Sequence, residues 1–280
     1  MTQYIDEYVE GERSLFAEHD SRLSGVTFGH GESPLKESRN IELVDCSFTW
    51  KYPLWYSRNI AVRQSIFESM ARSGIWYTKD ISMSDCVVQA EKIFRRCNGV
   101  ELNRVHLSDA NETLWSCDGV RMSDIQARGD YFGMNSTNIV ASHLNLVGNY
   151  CFDGARNVEI HDSTFIAKDA FWNCENVTIV DSKINGEYLG WNTKNLELVN
   201  CIVESDQGLC YVEGLTLKNC RLLHTDLAFE YCSDIDADVR STVDSVKNPI
   251  SGRISAQHIE QLIRDERFVD PNRTEIVITR

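Results

Sequence analysis

Branched aliphatic residues return along this chain at a nearly constant interval of 19 to 21 residues. The positions that follow this spacing, here called anchors, are Ile41, Ile60, Ile81, Val100, Val120, Ile139, Val158, Val177, Leu196, Leu215 and Ile235. The residue two positions after each anchor is also apolar, and alternation by two is the periodicity of a β-strand. Each anchor therefore predicts a short strand within a repeating structural unit.

Two further apolar columns complete the repeat. Positions five and seven after the anchor, such as Cys46 and Phe48, predict a second strand, and the position six before the next anchor, such as Leu54, predicts a third. Asn, Asp or Gly directly precedes each anchor, and these residue types tolerate the left-handed backbone of a sharp corner. We therefore expect three strands and three corners per turn.

The predicted fold is all-β: a single-stranded right-handed parallel β-helix of about 12 coils. The six-residue period of left-handed β-helices is absent, which favours right-handed coiling. A leucine-rich repeat is the competing fold, but its repeats run longer and need a helical or extended outer segment.

The unbroken period indicates one domain over residues 1–280. Within it we expect an N-terminal cap (1–20), coils (21–242) and a C-terminal cap (243–280). Ser255 to Phe268 reads as an amphipathic helix and Glu275 to Thr279 as a terminal strand. Capping both ends is expected because open β-edges attract other chains.

Composition narrows the functional classes. A formal net charge of −14 argues against binding nucleic acid through its phosphates, although an acidic rod can also mimic DNA. No apolar run is long enough to span a membrane, and residues 1–18 lack a secretory apolar region. We therefore expect a cytoplasmic protein that binds neither nucleic acid nor membranes.

The ten cysteines are expected to be reduced, structural thiols. Four lie five positions after an anchor, and four lie three positions before one, so they follow packing columns. No C-x-x-C pair occurs, and zinc or iron–sulfur spacings are missing. We predict no metal and no cofactor.

Candidate binding residues follow two outward columns. Five of the six tryptophans stand five positions before the next anchor, and we call this set of positions the tryptophan column. Tyrosines recur eight positions before the next anchor, and we call that set of positions the corner column. The candidate ligand-binding residues are Trp55, Trp76, Arg95, Arg96, Glu112, Trp115, Tyr131, Tyr150, Trp172, Tyr188 and Trp191. Three interpretations stay open: a protein-partner or homo-oligomer interface, a glycan or small-ligand surface, and simple cover by the terminal segments.

An alternative hypothesis makes the protein a carbohydrate-active hydrolase or lyase. Asp153 and Asp169 stand on adjacent predicted coils and are the candidate catalytic pair for an inverting mechanism. The turns are short throughout, however, whereas polysaccharide-active β-helices grow long loops that wall a cleft. A binding module without catalysis is therefore the favoured interpretation.

Several motifs resemble an uncharacterised bacterial family catalogued as domain of unknown function 3737. They are Gly31 to Glu37, Lys51 to Tyr56, Gly74 to Tyr77, Phe94 to Arg96, Asp169 to Asn173 and Gly190 to Asn192. The resemblance covers the chain from Glu10 to the terminal strand and implies a bacterial β-helix protein. Some members are labelled hydrogenases, but the paired cysteine motifs that hold a nickel–iron or iron-only cluster are absent here.

Overall fold

The fold is an all-β parallel solenoid, as the repeat predicts. A computed structural model describes residues 1–279, and the chain divides into two compact units, Met1–Leu146 and a second that begins at Val147. Within the described residues, no helix is long and apolar enough to cross a membrane.

The first fourteen strands belong to the repeats up to the unit boundary. They are β1 (Thr2–Ile5), β2 (Tyr8–Val9), β3 (His19–Ser24), β4 (Thr27–Phe28), β5 (Arg39–Val44), β6 (Ser47–Phe48), β7 (Arg58–Arg63), β8 (Ile66–Phe67), β9 (Ile75–Trp76), β10 (Lys79–Val88), β11 (Phe94–Arg95), β12 (Asn98–Leu107), β13 (Asp118–Arg128) and β14 (Thr137–Val147).

The remaining strands follow in the second unit. They are β15 (Arg156–His161), β16 (Thr164–Ile166), β17 (Glu175–Val180), β18 (Lys183–Glu187), β19 (Lys194–Val199), β20 (Ile202–Asp206), β21 (Glu213–Leu223), β22 (Ser233–Lys247), β23 (Gly252–Ile263) and β24 (Thr274–Ile278), with a short 3-10 helix at Pro271–Arg273.

The anchors stack in register, one per turn. Parallel pairing joins Ile41, Ile60, Ile81, Val100 and Val120 in the first unit, and Val158, Val177, Leu196, Leu215 and Ile235 in the second. All of these anchors are at most 3% exposed. The predicted stacking is confirmed, and burial of these columns supplies the main stabilisation of both units.

Aromatic rings inside the first unit stack in the same way. Phe48 lies between Phe28 and Phe67, with ring centroids 4.7 and 4.5 Å apart and planes within 14° of parallel. These three residues, here called the inner ladder, are at most 2% exposed. In the second unit, Phe152 and Phe171 stack at 5.2 Å.

A regular turn has at least four residues with left-handed backbone, not the three corners predicted. In one turn, Asn40, Asp45, Tyr52 and Tyr56 all have φ between 54° and 60°. The predicted third strand is therefore a short side of the turn with a left-handed residue at each end. Only three residues lie between these two corners, which is too few for a regular strand. Among residues 1–279, only β9 and β11 keep two strand residues on this side.

The predicted C-terminal helix is wrong. Residues 252–263 form β23, which pairs in parallel with β22 and in turn accepts β24. The apolar spacing of Ile259, Leu262 and Ile263 suits a helix. The open edge of β22, however, offers a backbone hydrogen-bond partner to every second residue, and β-branched side chains favour the strand. The terminal strand is confirmed as β24, and residue 280 lies outside the described residues.

The predicted N-terminal cap is itself a turn of the solenoid. β1 pairs with β3 from Thr2↔Ser21, and β2 pairs with β4 from Tyr8↔Thr27. This first turn and the two last turns raise the total to about fifteen turns, against the 12 coils predicted.

Candidate functional site

Planar side chains of the tryptophan column stack face to face in the first unit. The rings of Trp55 and Trp76 lie 5.2 Å apart at an interplanar angle of 6°. The Arg95 guanidinium carbon lies 4.6 Å from the Trp76 ring centroid and 4.5 Å from that of Trp115. These four residues, here called the outer ladder, stack because turns repeat about every 4.8 Å, close to the contact distance of planar groups.

Backbone hydrogen bonds fix the indoles of the outer ladder. Trp55 Nε1 donates to the Ser73 carbonyl oxygen at 2.5 Å, and Trp76 Nε1 donates to the Lys92 carbonyl oxygen at 2.8 Å. Both acceptors belong to the corner column of the next turn. Both indoles are half-buried, and the two faces of Trp76 are covered by Trp55 and by Arg95.

A second stack runs beside the outer ladder. Tyr56 and Tyr77 lie 4.7 Å apart at 6°, with the Lys36 ammonium 5.6 Å from Tyr56 and the Arg96 guanidinium 5.9 Å from Tyr77. We call these four residues the tyrosine ladder. Tyr56 is 50% exposed. Sequence reasoning found Arg96 but missed the others, although aromatic residues four positions before successive anchors were the available signal.

Opposite charges hold Arg95 in place. Its Nη2 donates to Glu112 Oε2 at 2.9 Å, and Lys92 Nζ lies 3.3 Å from Glu112 Oε1. Arg95 is therefore sandwiched between indoles and ion-paired at its tip, and its orientation is fixed by contacts on three sides. Tyr131, another candidate of this unit, is 37% exposed.

The second unit has a looser aromatic stack. Trp172, Trp191, Tyr211 and Tyr231 follow one another at 5.9, 4.8 and 5.3 Å, with interplanar angles of 33° to 40°. Two candidates from the corner column contact this stack edge-on, Tyr150 against Trp172 and Tyr188 against Trp191. Trp172 Nε1 also donates to the Tyr188 carbonyl oxygen at 2.7 Å.

The tryptophan column ends differently in this unit. Buried Cys210 follows Trp191 in this column, and Glu230, only 6% exposed, follows Cys210. Glu230 accepts a hydrogen bond from Gln207 at 2.9 Å. Lys247 Nζ lies 2.8 Å from its other oxygen. The buried Glu230 carboxylate is tolerated because Gln207 and Lys247 offset the free-energy cost of its desolvation.

The candidate catalytic carboxylates have separate surroundings. Asp153 accepts a hydrogen bond from Asn173 Nδ2 at 2.9 Å, within an outward ladder that continues to Asn192. Asp169 is only 2% exposed, and burial raises its pKa, partly offset by a hydrogen bond with Tyr150. An inverting pair needs both carboxyl groups around one water-filled space, and a catalytic role for Asp153 and Asp169 stays a prediction.

Every cysteine is a buried free thiol. Burial raises the pKa of Cys86 to about 11 and that of Cys174 to about 12, so these sulfurs stay protonated at neutral pH. Among residues 1–279, no three His, Cys, Asp or Glu side chains converge as metal ligands.

The model of the family described as protein of unknown function (DUF3737) matches residues 2–277. The chain belongs to this family. No curated protein matches the sequence significantly.

Solved structures with some likeness are β-helical proteins of low identity. The Azotobacter vinelandii mannuronan C-5 epimerase AlgE4 A-module is 9% identical, with 99% of this chain and 88% of that chain covered and a TM-score of 0.32. A double mutant of the periplasmic alginate epimerase AlgG is 7% identical, with coverage of 99% and 75% and a TM-score of 0.37. PfbA, a surface adhesin of Streptococcus pneumoniae, is 9% identical, with coverage of 94% and 80% and a TM-score of 0.33.

Proposed function

We propose that the protein is a binding module whose first unit docks a protein partner on the outer edges of the outer ladder and the tyrosine ladder. One observation carries the proposal: Tyr56 is 50% exposed although its ring is held in a stack 4.7 Å from Tyr77. A large aromatic side chain that is both exposed and immobilised is a preformed contact.

Composition and rigidity both suit protein recognition. Trp, Tyr and Arg are the residues that dominate binding energy at protein interfaces. Here they belong to stacked, backbone-paired turns, and the indole nitrogens of Trp55 and Trp76 are hydrogen-bonded to backbone carbonyl oxygens. Because little side-chain freedom remains to be lost, docking costs less conformational entropy.

The ring geometry favours a protein over a glycan. Sugars stack their C–H patches on aromatic faces, and both faces of Trp76 are covered, by Trp55 and by Arg95. The carbohydrate-active alternative also needs accessible carboxyl groups, and Asp169 is buried. The half-exposed Tyr56 ring and the cations of Lys36 and Arg96 beside it are groups that a protein surface can contact.

Site-specific photo-crosslinking tests the proposal. Benzoylphenylalanine replaces Tyr56 in one version of the chain and Val140, which is 44% exposed in the same unit, in the matched control. Irradiation of host cells should give a discrete crosslinked protein at position 56 that is absent at position 140. Adding Arg96→Ala should greatly weaken the product at position 56. Equal products at both positions, or none at position 56, would contradict the proposal.

A further inference from the structure

Among residues 1–279, the outer edge of the first turn has no paired strand. Within residues 1–279, β1 pairs only with β3 and β2 only with β4, so the opposite edge of this turn has no strand beside it. Unpaired backbone groups of this kind are templates for an added strand. We call the outer side of β1 and β2 the first-turn edge.

Apolar surface accompanies the open edge. Tyr4 and Val9 stand at inward positions opposite Leu23 and Phe28, which are fully buried, yet both are only half-buried. Leu15 is likewise half-buried, whereas Leu35, at the same position of the next turn, is fully buried. Among residues 1–279, none covers the core of the first unit at this end, and an added strand with apolar residues at alternate positions would bury it.

Charge distinguishes between possible occupants. Residues 1–20 carry six carboxylates and one guanidinium, a side-chain net charge of −5, against −14 for all 280 residues. The charged side chains are Asp6, Glu7, Glu10, Glu12, Arg13, Glu18 and Asp20. More than a third of the net charge therefore lies on this one turn.

Part of this charge is not neutralised within the turn. Glu18 accepts from the Tyr4 hydroxyl, Asp20 accepts from Asn40, and Glu12 lies beside Arg13. Asp6, Glu7 and Glu10 are exposed and form no ion pair among residues 1–279. Two copies of this edge placed together would bring these carboxylates into mutual repulsion, which disfavours self-association here.

We propose that the first-turn edge binds an extended segment of a partner protein that alternates apolar and basic residues. The segment adds as a strand beside β1 and β2. Its apolar side chains cover Tyr4 and Val9, and its lysines or arginines face Asp6, Glu7 and Glu10. This inference concerns a different surface from the ladders and does not depend on the proposed function.

Binding of designed peptides to the full chain tests this inference. The probe is a short labelled peptide that alternates valine and lysine, followed by fluorescence anisotropy. Two control peptides alternate valine and glutamate, or carry N-methylated valines that cannot donate backbone hydrogen bonds. We expect saturable binding of the first peptide alone, because it alone supplies both the charge and the strand backbone.

Charge variants locate the binding surface. Glu7→Lys with Glu10→Lys should weaken binding of the valine–lysine peptide about tenfold. Glu260→Lys with Glu266→Lys makes the same charge change at exposed positions of the second unit and should leave binding nearly unchanged. If the first pair perturbs folding, as monitored by circular dichroism, Glu7→Gln with Glu10→Gln replaces it with a smaller expected loss.

Three outcomes would overturn the inference. They are no saturable binding of the valine–lysine peptide, equal binding of the N-methylated peptide, and equal losses from the two charge-reversal pairs. Sedimentation that reveals a dimer abolished by Glu7→Lys with Glu10→Lys would also overturn it, because a second copy would then be the occupant.

Discussion

The inner ladder and the outer ladder of the first unit arise from the same repetition but differ in what they expose. Phe48 is stacked at 4.7 and 4.5 Å and is fully buried, whereas Trp55 and Trp76 are stacked at 5.2 Å and are half-buried. Stacking alone is therefore a consequence of in-register turns and says nothing about binding. The groups available for binding are those that the outer stacks leave exposed, such as Tyr56 with the neighbouring Lys36 and Arg96.

Truncation of the inner ladder should have the largest effect. Phe48→Ala removes a ring that fills the core between two others, and we expect a loss of about 3–5 kcal/mol in the free energy of unfolding of the first unit. Denaturant unfolding followed by circular dichroism measures it, with Phe48→Leu as the milder control. A loss no greater than that of a surface substitution would show that the ring is not part of a tight core.

Charge reversal in the outer ladder should come next. Arg95→Glu places a carboxylate beside Glu112 and between two indoles, and we expect a loss of about 2 kcal/mol. Arg95→Lys keeps the charge but not the planar guanidinium, so it should cost less. If both variants unfold like the parent protein, the guanidinium does not stabilise the stack.

The pH dependence of the free energy of unfolding should distinguish buried Asp169 from less buried carboxylates. Burial raises its pKa from the ordinary 3.8, so the folded chain holds this proton more tightly than the unfolded chain does. The free energy of unfolding should therefore fall as pH rises from 3.8 through the raised pKa, and Asp169→Asn should remove that fall. Asp153→Asn is the matched control in the same unit. An unchanged pH profile in Asp169→Asn would contradict the assignment.

The smallest effect on stability is expected at the most exposed ring. Tyr56→Ala should cost about 1 kcal/mol or less, because one side of the ring already contacts solvent. Affinity for the partner identified by crosslinking should nevertheless fall at least about tenfold, as at an interface hot spot. The matched control is Val140→Ala. Comparable affinity losses in the two variants would place the partner elsewhere.

The repeat could be predicted from sequence because burial imposes it at every turn. The column from Ile41 to Val120 required no knowledge of partners, since each anchor packs on the one before it. The C-terminal strand could not be predicted in this way. Ile259, Leu262 and Ile263 fit a helix locally, and only the unpaired edge of β22 decides for the strand.

The orientation of the aromatic rings in the outer ladder could not be predicted from the repeat pattern either. The period placed Trp55, Trp76, Arg95 and Trp115 in one column, and the structure confirms that they meet. Whether rings show faces or edges depends on the corner geometry, where Ser73 and Lys92 offer carbonyl oxygens to the indoles. The short rise between turns was the available hint that the faces would be covered.

Intrinsic tryptophan fluorescence titrated with a panel of neutral and charged oligosaccharides tests the central claim, that the aromatic surface offers edges and not sugar-binding faces. We predict no saturable change in intensity or emission maximum with any member of the panel. A saturable change that disappears in Trp115→Ala would contradict the account and restore a glycan-binding role.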